Sequence, residues 1–318
     1  MITRSSKIYV AGHTGLVGSA IVRKLKQNKF KNIITINSSK LDLRNQVKVF
    51  NFLKKKKPDF IFIAAAMVGG ILANNNFKAD FIYNNLSIQN NLVHGAFKAN
   101  IKNLIFLGSS CVYPRNCKQP IKEKYLLSSA LEKTNEPYAI AKIAGIKLCE
   151  SYNFQYKTNY KCLMPTNTFG PGDDYHKFNS HFFPSLIRKI HFSNNTNKIT
   201  IWGNGKVKRE VIYVDDIADA CLYFMKKKTK ETLINIGTGR DYTIKEYVKI
   251  ISGIIRVNKK KLIINYDKNK PNGTPRKLLD TNLAKKYGWS PKTDLNDAID
   301  LTYKDFILSI KNKDKKPK

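Results

Sequence analysis

Three residue types that can together move a proton onto a carbonyl oxygen lie close in this sequence. Ser109 follows the apolar run of residues 104–107, and Tyr138 and Lys142 follow a polar loop. Because Tyr138 and Lys142 are four residues apart, they lie on the same face of a helix. A Lys ammonium beside a phenol lowers the Tyr pKa from about 10 towards neutral pH. The pattern predicts Tyr138 as a proton donor or acceptor, with Ser109 bonding the same substrate oxygen.

The Tyr-x-x-x-Lys pair also has a simpler interpretation, a half-buried Tyr above a solvated Lys. The surrounding elements favour the chemical one, because helix patterns alternate with strands predicted at residues 7–11, 32–36, 59–64, 104–107 and 160–164. Such alternation is typical of a parallel sheet with helices on both faces. The predicted fold class is therefore α/β, a doubly wound, Rossmann-like parallel sheet with a smaller α+β substrate-binding domain.

The first strand-to-helix turn has the composition of a dinucleotide site. Its spacing is Gly-x-x-Gly-x-x-Gly, in the residues Gly12, His13, Thr14, Gly15, Leu16, Val17 and Gly18. Gly12 allows a tight turn, Gly15 lets the backbone approach a pyrophosphate, and Gly18 permits close helix packing. The free N–H groups of the following helix would face the phosphates.

The end of the second predicted strand should meet the adenosine ribose. An acidic residue there favours NAD, whereas basic residues favour the additional phosphate of NADP. The sequence has Ser38, Ser39 and Lys40, with no acid before Asp42. Two hydroxyls and a Lys can bind a phosphate, so NADP is predicted. Asp42 could bond the adenine or cap the next helix, and the residues alone do not choose.

The domain prediction follows from the order of these elements. Residues 1–165, with 206–255 returning to them, are predicted to form the dinucleotide-binding domain. Residues 166–205 and 256–311 would form the substrate-binding domain. Residues 199–205 and 209–216 are predicted to form a hairpin that leads into a helix. The Lys-rich residues 312–318 are predicted to be a disordered tail.

Composition limits the function classes. The formal charge of +34 raises the question of a nucleic-acid partner, but the lysines occur in runs spread along all 318 residues without interleaved aromatics, as in solvated loops. The chain has an odd number of cysteines without framework spacing, Cys111, Cys117, Cys149, Cys162 and Cys221, which predicts a reducing compartment and no metal. A strand pattern by Lys7 and no long apolar run predict a cytoplasmic protein that is not bound to a membrane.

Several blocks of the sequence resemble the GDP-L-fucose synthase family of the extended short-chain dehydrogenases, from Lys7 to about Phe306. The blocks are residues 107–114, 134–145, 164–167, 179–181 and 273–280. Related sugar-nucleotide epimerases share the glycines and the Tyr-Lys pair, but not Cys111 together with His181. The resemblance implies a homodimer that converts GDP-4-keto-6-deoxy-D-mannose to GDP-L-fucose with NADPH, by 3,5-epimerisation and 4-keto reduction.

The resemblance also implies roles for single residues. Ser109, Tyr138 and Lys142 would form the reductase set, and Cys111 with His181 would epimerise. A keto group at C4 acidifies the protons at C3 and C5, and a thiolate and an imidazolium can serve as base and acid near neutral pH. The implied substrate contacts are Asn167, Lys189, Trp202, Arg209 and Lys277. The implied cofactor contacts beyond the glycine turn and the ribose segment are Leu107, Gly108, Ser109, Lys142, Pro165, Thr166, Asn167 and His181.

Two departures and two alternatives accompany this resemblance. Family members often carry Arg at the positions of Thr14 and Ser38, which weakens the NADP prediction here. A sugar-nucleotide 4-epimerase or dehydratase with bound NAD is one alternative, although a dehydratase would need an Asp-Glu pair where Ser110 and Cys111 stand. A non-catalytic, basic dinucleotide- or nucleic-acid-binding protein is the other. The intact reductase set argues against it.

Overall fold

A parallel sheet of six strands forms the centre of the larger part of the protein. The structure is a computed structural model that describes residues 2–176, 180–194, 196–255, 262–267, 269 and 273–314. The sheet order is β2-β1-β3-β4-β5-β9, with β1 (Lys7–Ala11), β2 (Asn32–Ile34), β3 (Phe60–Ile63), β4 (Asn103–Leu107), β5 (Asn159–Pro165) and β9 (Leu233–Ile236). Every strand pair in it is parallel, which confirms the predicted fold class.

Helices cover both faces of this sheet. They are α1 (Leu16–Gln27), α2 (Gln46–Lys56), α3 (Ile71–Asn76), α4 (Lys78–Lys98), α5 (Glu136–Tyr156) and α7 (Val214–Lys226). One core cluster joins α1 and α7 to one face, and a second joins α2, α4 and α5 to the other. All four residues of β3 are buried and apolar, as expected for a central strand covered on both sides.

The smaller part is built on short strands. β8 (Lys208–Tyr213) pairs with β6 (Asn167–Phe169), β10 (Asp241–Thr243) and β12 (Arg276–Lys277), while β7 (Lys198–Trp202) pairs with β11 (Ile263–Asp267). The remaining helices are α6 (Phe182–Phe192), α8 (Ile244–Ile255), α9 (Asn282–Lys286) and α10 (Leu295–Asp314). α6, α8 and α10 share a third core cluster with these strands. No helix within the described ranges has the length and apolar character needed to cross a bilayer.

The structure differs from the predicted organisation in three details. The predicted hairpin is wrong, because β7 pairs in parallel with β11 and not with β8. Contrary to the prediction, residues 206–255 do not all return to the dinucleotide-binding part. Strand β9 joins the large sheet and α7 packs against it, whereas β8, β10 and α8 belong to the smaller part. Helix α10 extends through residues 312–314, so the predicted tail begins as helix. Residues 315–318 lie outside the described part of the chain.

Candidate functional site

The carboxyl ends of the central strands of the six-stranded sheet are the edge at which doubly wound folds have their ligand crevice. The strand order reverses beside β1, because β2 lies on one side of it and β3 on the other. Ligands of doubly wound folds bind at such a switch point. The glycine turn follows β1 and the segment with Ser109 follows β4, so both reach the same edge.

The glycine turn is packed too tightly for side chains at two positions. Gly12 has a φ of +83°, and a Cβ on it would lie 2.6 Å from the backbone nitrogen of Ala65. A Cβ on Gly18 would lie 2.0 Å from the carbonyl oxygen of Gly12. Gly15 caps α1 without a side-chain hydrogen bond, so the N–H groups of the first turn point to the crevice uncapped.

Gly18→Ala should therefore damage both stability and cofactor binding. The new methyl group overlaps the backbone at Gly12, and overpacking of this kind typically costs about 1–3 kcal/mol. We expect a lower melting temperature and at least about a tenfold weaker NADPH affinity, measured by thermal unfolding with and without NADPH. Gly253→Ala, in α8, is the matched control, because a Cβ there meets no atom within 4 Å. A normal NADPH affinity in Gly18→Ala would contradict the assignment of this turn.

The predicted ribose segment forms an exposed turn after β2. Residues 38–40 are exposed, and the N–H groups of Lys40 and Leu41 donate to the carbonyl oxygen of Asn37. Asp42 does not cap α2. Its carboxylate accepts hydrogen bonds from the backbone and guanidinium of Arg44, and Asn45 caps the helix instead. Of the two roles left open for Asp42, the helix cap is excluded.

Ser109, Tyr138 and Lys142 come together at the end of β4. Ser109 opens a short 3-10 helix, where its hydroxyl accepts a bond from the N–H of Cys111 at 3.2 Å. The side chains of Ser109 and Tyr138 lie close enough for Ser109 to affect the pKa of the phenol. The ammonium of Lys142 donates to the carbonyl oxygen of Leu107 at 2.9 Å and lies 5.9 Å from the centre of the Tyr138 ring. The predicted pair is thus on one helix face, α5, and points at Ser109.

The predicted direction of the Tyr138 pKa is wrong. Burial raises the pKa of Tyr138 above its ordinary range, and the nearby Cys111 raises it further, while the Ser109 side chain opposes this. Burial also lowers the pKa of Lys142 to about 8. Desolvation by the surrounding protein therefore outweighs the attraction between ammonium and phenolate. The phenol stays protonated near neutral pH, which is the form needed to protonate an alkoxide.

The lowered pKa of Lys142 predicts an alkaline limit to ketone reduction. A Lys loses its charge as pH rises through its pKa, so the ammonium disappears above about pH 8 while Tyr138 is still a phenol. We expect the rate of NADPH oxidation to fall about tenfold per pH unit beyond that point. Lys142→Arg should move this limit upward because Arg does not deprotonate. A flat profile to about pH 10 would contradict the role of the ammonium.

Cys111 lies between the reductase set and two cations. Its sulfur accepts a hydrogen bond from the ammonium of Lys277 at 3.6 Å. It also interacts electrostatically with Tyr138 and with Arg209. Cys111 is half-buried and unpaired by any disulfide. The thiol of Cys111 therefore contacts the ammonium of Lys277 and lies within electrostatic range of Tyr138 and Arg209.

The two cations reach Cys111 through strand pairing. Arg209 is on β8 and Lys277 on β12, and they are direct neighbours in the parallel register. The guanidinium of Arg209 donates to the carbonyl oxygens of Lys208 and Thr274, and burial lowers its pKa. Both side chains are held in place by the smaller sheet and point across to the larger one.

His181 caps the N-terminus of α6. More than a third of its surface is exposed, yet desolvation by surrounding protein lowers its pKa, with Asp174 acting in the opposite sense. Both are properties of a side chain that lines an open cleft. Among the described residues, no hydrogen bond joins His181 to Cys111 or Tyr138, so its predicted catalytic partnership stays a prediction. Asn179, in the same sequence block, lies outside the described residues.

The other predicted contacts lie on or next to β6, α6 and β7 of the smaller part. Asn167 donates to the carbonyl oxygen of Glu210 at 2.8 Å, as does Thr166 at 3.1 Å. Lys189 donates to the carbonyl oxygen of Thr200, and burial lowers its pKa. Trp202 ends β7 and is half-buried. Their direct contact with a ligand stays a prediction.

Comparison with known proteins places this site in a family. The model of the NAD dependent epimerase/dehydratase family matches residues 8–237, which span β1 through β9 and include the glycine turn and the reductase set. The chain belongs to this family. The match ends before β12, so it does not include Lys277.

Relatives of this epimerase/dehydratase confirm the resemblance to GDP-L-fucose synthases. The chain is 44% identical to GDP-L-fucose synthase 1 of Arabidopsis thaliana, covering 98% of this chain and 97% of that one. It is 43% identical to the GDP-L-fucose synthase of Escherichia coli, covering 95% and 96%. It also matches a solved GDP-D-glycero-L-gluco-heptose synthase from Campylobacter jejuni, determined in the presence of NADPH, with a TM-score of 0.89, 36% identity and coverage of 96% and 100%.

The crevice of this family member fits NADP(H). The tight glycine turn and the uncapped start of α1 suit a pyrophosphate, and the exposed turn at residues 38–40 offers two hydroxyls and an ammonium to a ribose phosphate. Gly108 makes room for the side chain of Met164, because a Cβ there would lie 2.0 Å from its terminal methyl. Thr14 is exposed in the glycine turn. No cluster of three or more metal-binding side chains occurs in the part of the chain that the structure describes.

Sequence reasoning missed a buried carboxylate that joins the two parts of the enzyme. Glu210 is fully buried, and its side chain accepts hydrogen bonds from the N–H groups of Gly239 and Leu279 at 2.7 and 2.9 Å. Burial raises its pKa to about 7. Leu279 follows Lys277 by two residues, so Glu210 fixes the strand that carries this ammonium. The sequence could have indicated this carboxylate, because Glu210 directly precedes the apolar residues of β8 and a buried Glu needs hydrogen-bond partners.

Proposed function

We propose that the chain converts GDP-4-keto-6-deoxy-D-mannose to GDP-L-fucose with NADPH, by epimerisation at C3 and C5 and reduction at C4. The observation that carries this proposal is the position of the Cys111 thiol, which interacts electrostatically with Tyr138 and follows Ser109 by two residues in the same short helix. A ketone reductase needs only the phenol, the hydroxyl and the ammonium. A thiol beside them supports a second reaction on the same bound sugar.

In the epimerisation, Cys111 acts as the base. Its thiolate removes the acidified proton at C3 or C5, and His181 returns a proton to the opposite face of the carbon. The negative charge then develops on the C4 oxygen, where the hydroxyls of Ser109 and Tyr138 can donate hydrogen bonds. Support comes from the position of the thiol next to that donor pair.

In the reduction, the same hydroxyls serve the C4 oxygen. NADPH supplies the hydride when bound. Tyr138 donates its proton to the new alkoxide, Ser109 orients that oxygen, and Lys142 supports the phenol from its bond to the carbonyl oxygen of Leu107. The raised pKa of Tyr138 keeps the proton available near neutral pH.

The diphosphate of the substrate explains the cations of the cleft. Arg209 and Lys277 lie side by side on the smaller sheet, and an Arg fork binds phosphate oxygens in two places. The overall charge of +34 adds a positive field that attracts anionic substrates. The cytoplasmic location and the homodimer remain predictions from the sequence.

The test is to mix the purified protein with NADPH and GDP-4-keto-6-deoxy-D-mannose and to identify the sugar by NMR. The expected product is GDP-L-fucose, formed with one NADPH oxidised per sugar. In heavy water, deuterium should enter C3 and C5. A product that retains the D-manno configuration at C3 and C5, or turnover without NADPH oxidation, would contradict the proposal. The second outcome is the behaviour of a 4-epimerase with bound NAD.

A further inference from the structure

We propose that Lys277 holds Cys111 in its thiolate form and thereby makes this thiol a base. This role is additional to the phosphate contact that the sequence predicts for Lys277, and it rests on the proposed epimerase function. Lys277 acts through Cys111, so it is a positioning residue in this step. The thiolate, and not the thiol, is the species that removes a proton.

The first argument is the pairing of charges. The ammonium of Lys277 donates to the sulfur of Cys111 at 3.6 Å. No ion pair among the described residues gives Lys277 a carboxylate partner. A half-buried ammonium without a carboxylate is best compensated by an anion close by. The thiolate of Cys111 is such an anion, and its formation satisfies both groups.

The second argument is that the other charged groups near Cys111 are positive on balance. Arg209 on β8 faces it and adds a second cation, while Tyr138 on α5 stays an uncharged phenol near neutral pH. Glu132 interacts with Arg209 and is the acidic neighbour in this group. The balance around the sulfur is therefore positive, which favours thiolate.

The third argument is that Lys277 is fixed in place. Its neighbour Leu278 donates to the side-chain oxygen of Gln119 at 2.9 Å, and Leu279 donates to Glu210 at 2.9 Å. Lys277 is also paired with Arg209 in the parallel register of β12 and β8. A Lys on a mobile loop would make this contact only part of the time. Here the strand β12 is anchored on both sides of the cleft.

The test measures the reactivity of Cys111 without substrate. Iodoacetamide is uncharged, so its approach does not depend on the charge of Lys277. The alkylation rate of the Cys111 peptide is followed by mass spectrometry between about pH 6 and pH 9. In Lys277→Met, we expect about tenfold slower alkylation at neutral pH, because the cation that stabilises the reactive thiolate is lost. Lys277→Arg should largely restore the rate.

Two internal comparisons sharpen this test. Lys208→Met removes an exposed charge from the strand that pairs with β12 and should change the Cys111 rate by less than about twofold. Cys117 also interacts with Lys277, but burial raises the pKa of its thiol, so it should react more slowly than Cys111 in every variant. A Lys208→Met effect as large as that of Lys277→Met would point to the general field and overturn the proposal.

A wild-type rate and pH profile in folded Lys277→Met would also overturn it, leaving Lys277 as a phosphate ligand only. If Lys277→Met does not fold, Lys277→Gln decides by the same criterion. This outcome is independent of the proposed function, because alkylation is measured without the keto-sugar. Failure of the proposed function would appear instead as absence of GDP-L-fucose from the unmodified enzyme.

Discussion

Tyr138→Phe should slow ketone reduction by about 10³-fold, within the range of about 10²–10⁴ typical for a lost general acid. The change removes one oxygen from a ring that is half-buried between Phe81 and Lys142, so the protein should fold normally. Without the phenol, the alkoxide at C4 must take its proton from water or from Ser109. The expected result is a low kcat for NADPH oxidation with little change in NADPH affinity.

The same variant separates the two reactions. Cys111 keeps its contact with Lys277 in Tyr138→Phe, because that hydrogen bond does not involve the phenol. Deuterium exchange at C3 and C5 should therefore persist, slowed only by the loss of one donor to the enolate oxygen. Tyr175→Phe, at a hydroxyl bonded to Thr302 in the smaller part, is the control for losing a Tyr oxygen. Reduction at wild-type rate in Tyr138→Phe would remove Tyr138 from the mechanism.

Local spacing allowed part of this site to be predicted. The turn from Gly12 to Gly18 is a local structure, since a Cβ on Gly18 would overlap the backbone of Gly12 and a Cβ on Gly12 would overlap the backbone at Ala65. The Tyr138 and Lys142 pair is likewise set by one helix. Residues whose partners are a few positions away, or on the adjacent strand of a regular sheet, reveal their geometry in the sequence.

Long-range pairing and burial could not be predicted in this way. The hairpin prediction failed because β7 and β8 are close in sequence but pair with other strands, β7 with β11. The contact between Lys277 and Cys111 depends on the pairing of β12 with β8, and no pattern in the sequence specifies that register. The direction of the Tyr138 pKa failed for a related reason. Spacing shows which groups are near, but only the packed structure shows how far water is excluded.

Cys111→Ser tests the division of labour at the same site. A Ser hydroxyl is close to Cys in size but ionises far less readily, so it cannot serve as the base near neutral pH even beside Lys277. We expect epimerisation, measured as deuterium uptake at C3 and C5, to fall by about 10²–10⁴-fold. Ser109, Tyr138 and Lys142 are untouched. Reduction should therefore continue and release a GDP-6-deoxyhexose with its original configuration at C3 and C5.

Cys117→Ser is the matched control for this experiment. Cys117 is also half-buried and also interacts with Lys277, but only Cys111 is in electrostatic contact with Tyr138 among the described cysteines. Its replacement should leave epimerisation within about twofold of the original rate. GDP-L-fucose formed at the normal rate by Cys111→Ser would show that another group removes the C3 and C5 protons. Loss of epimerisation with reduction intact is the result that the assignment of Cys111 as the base requires.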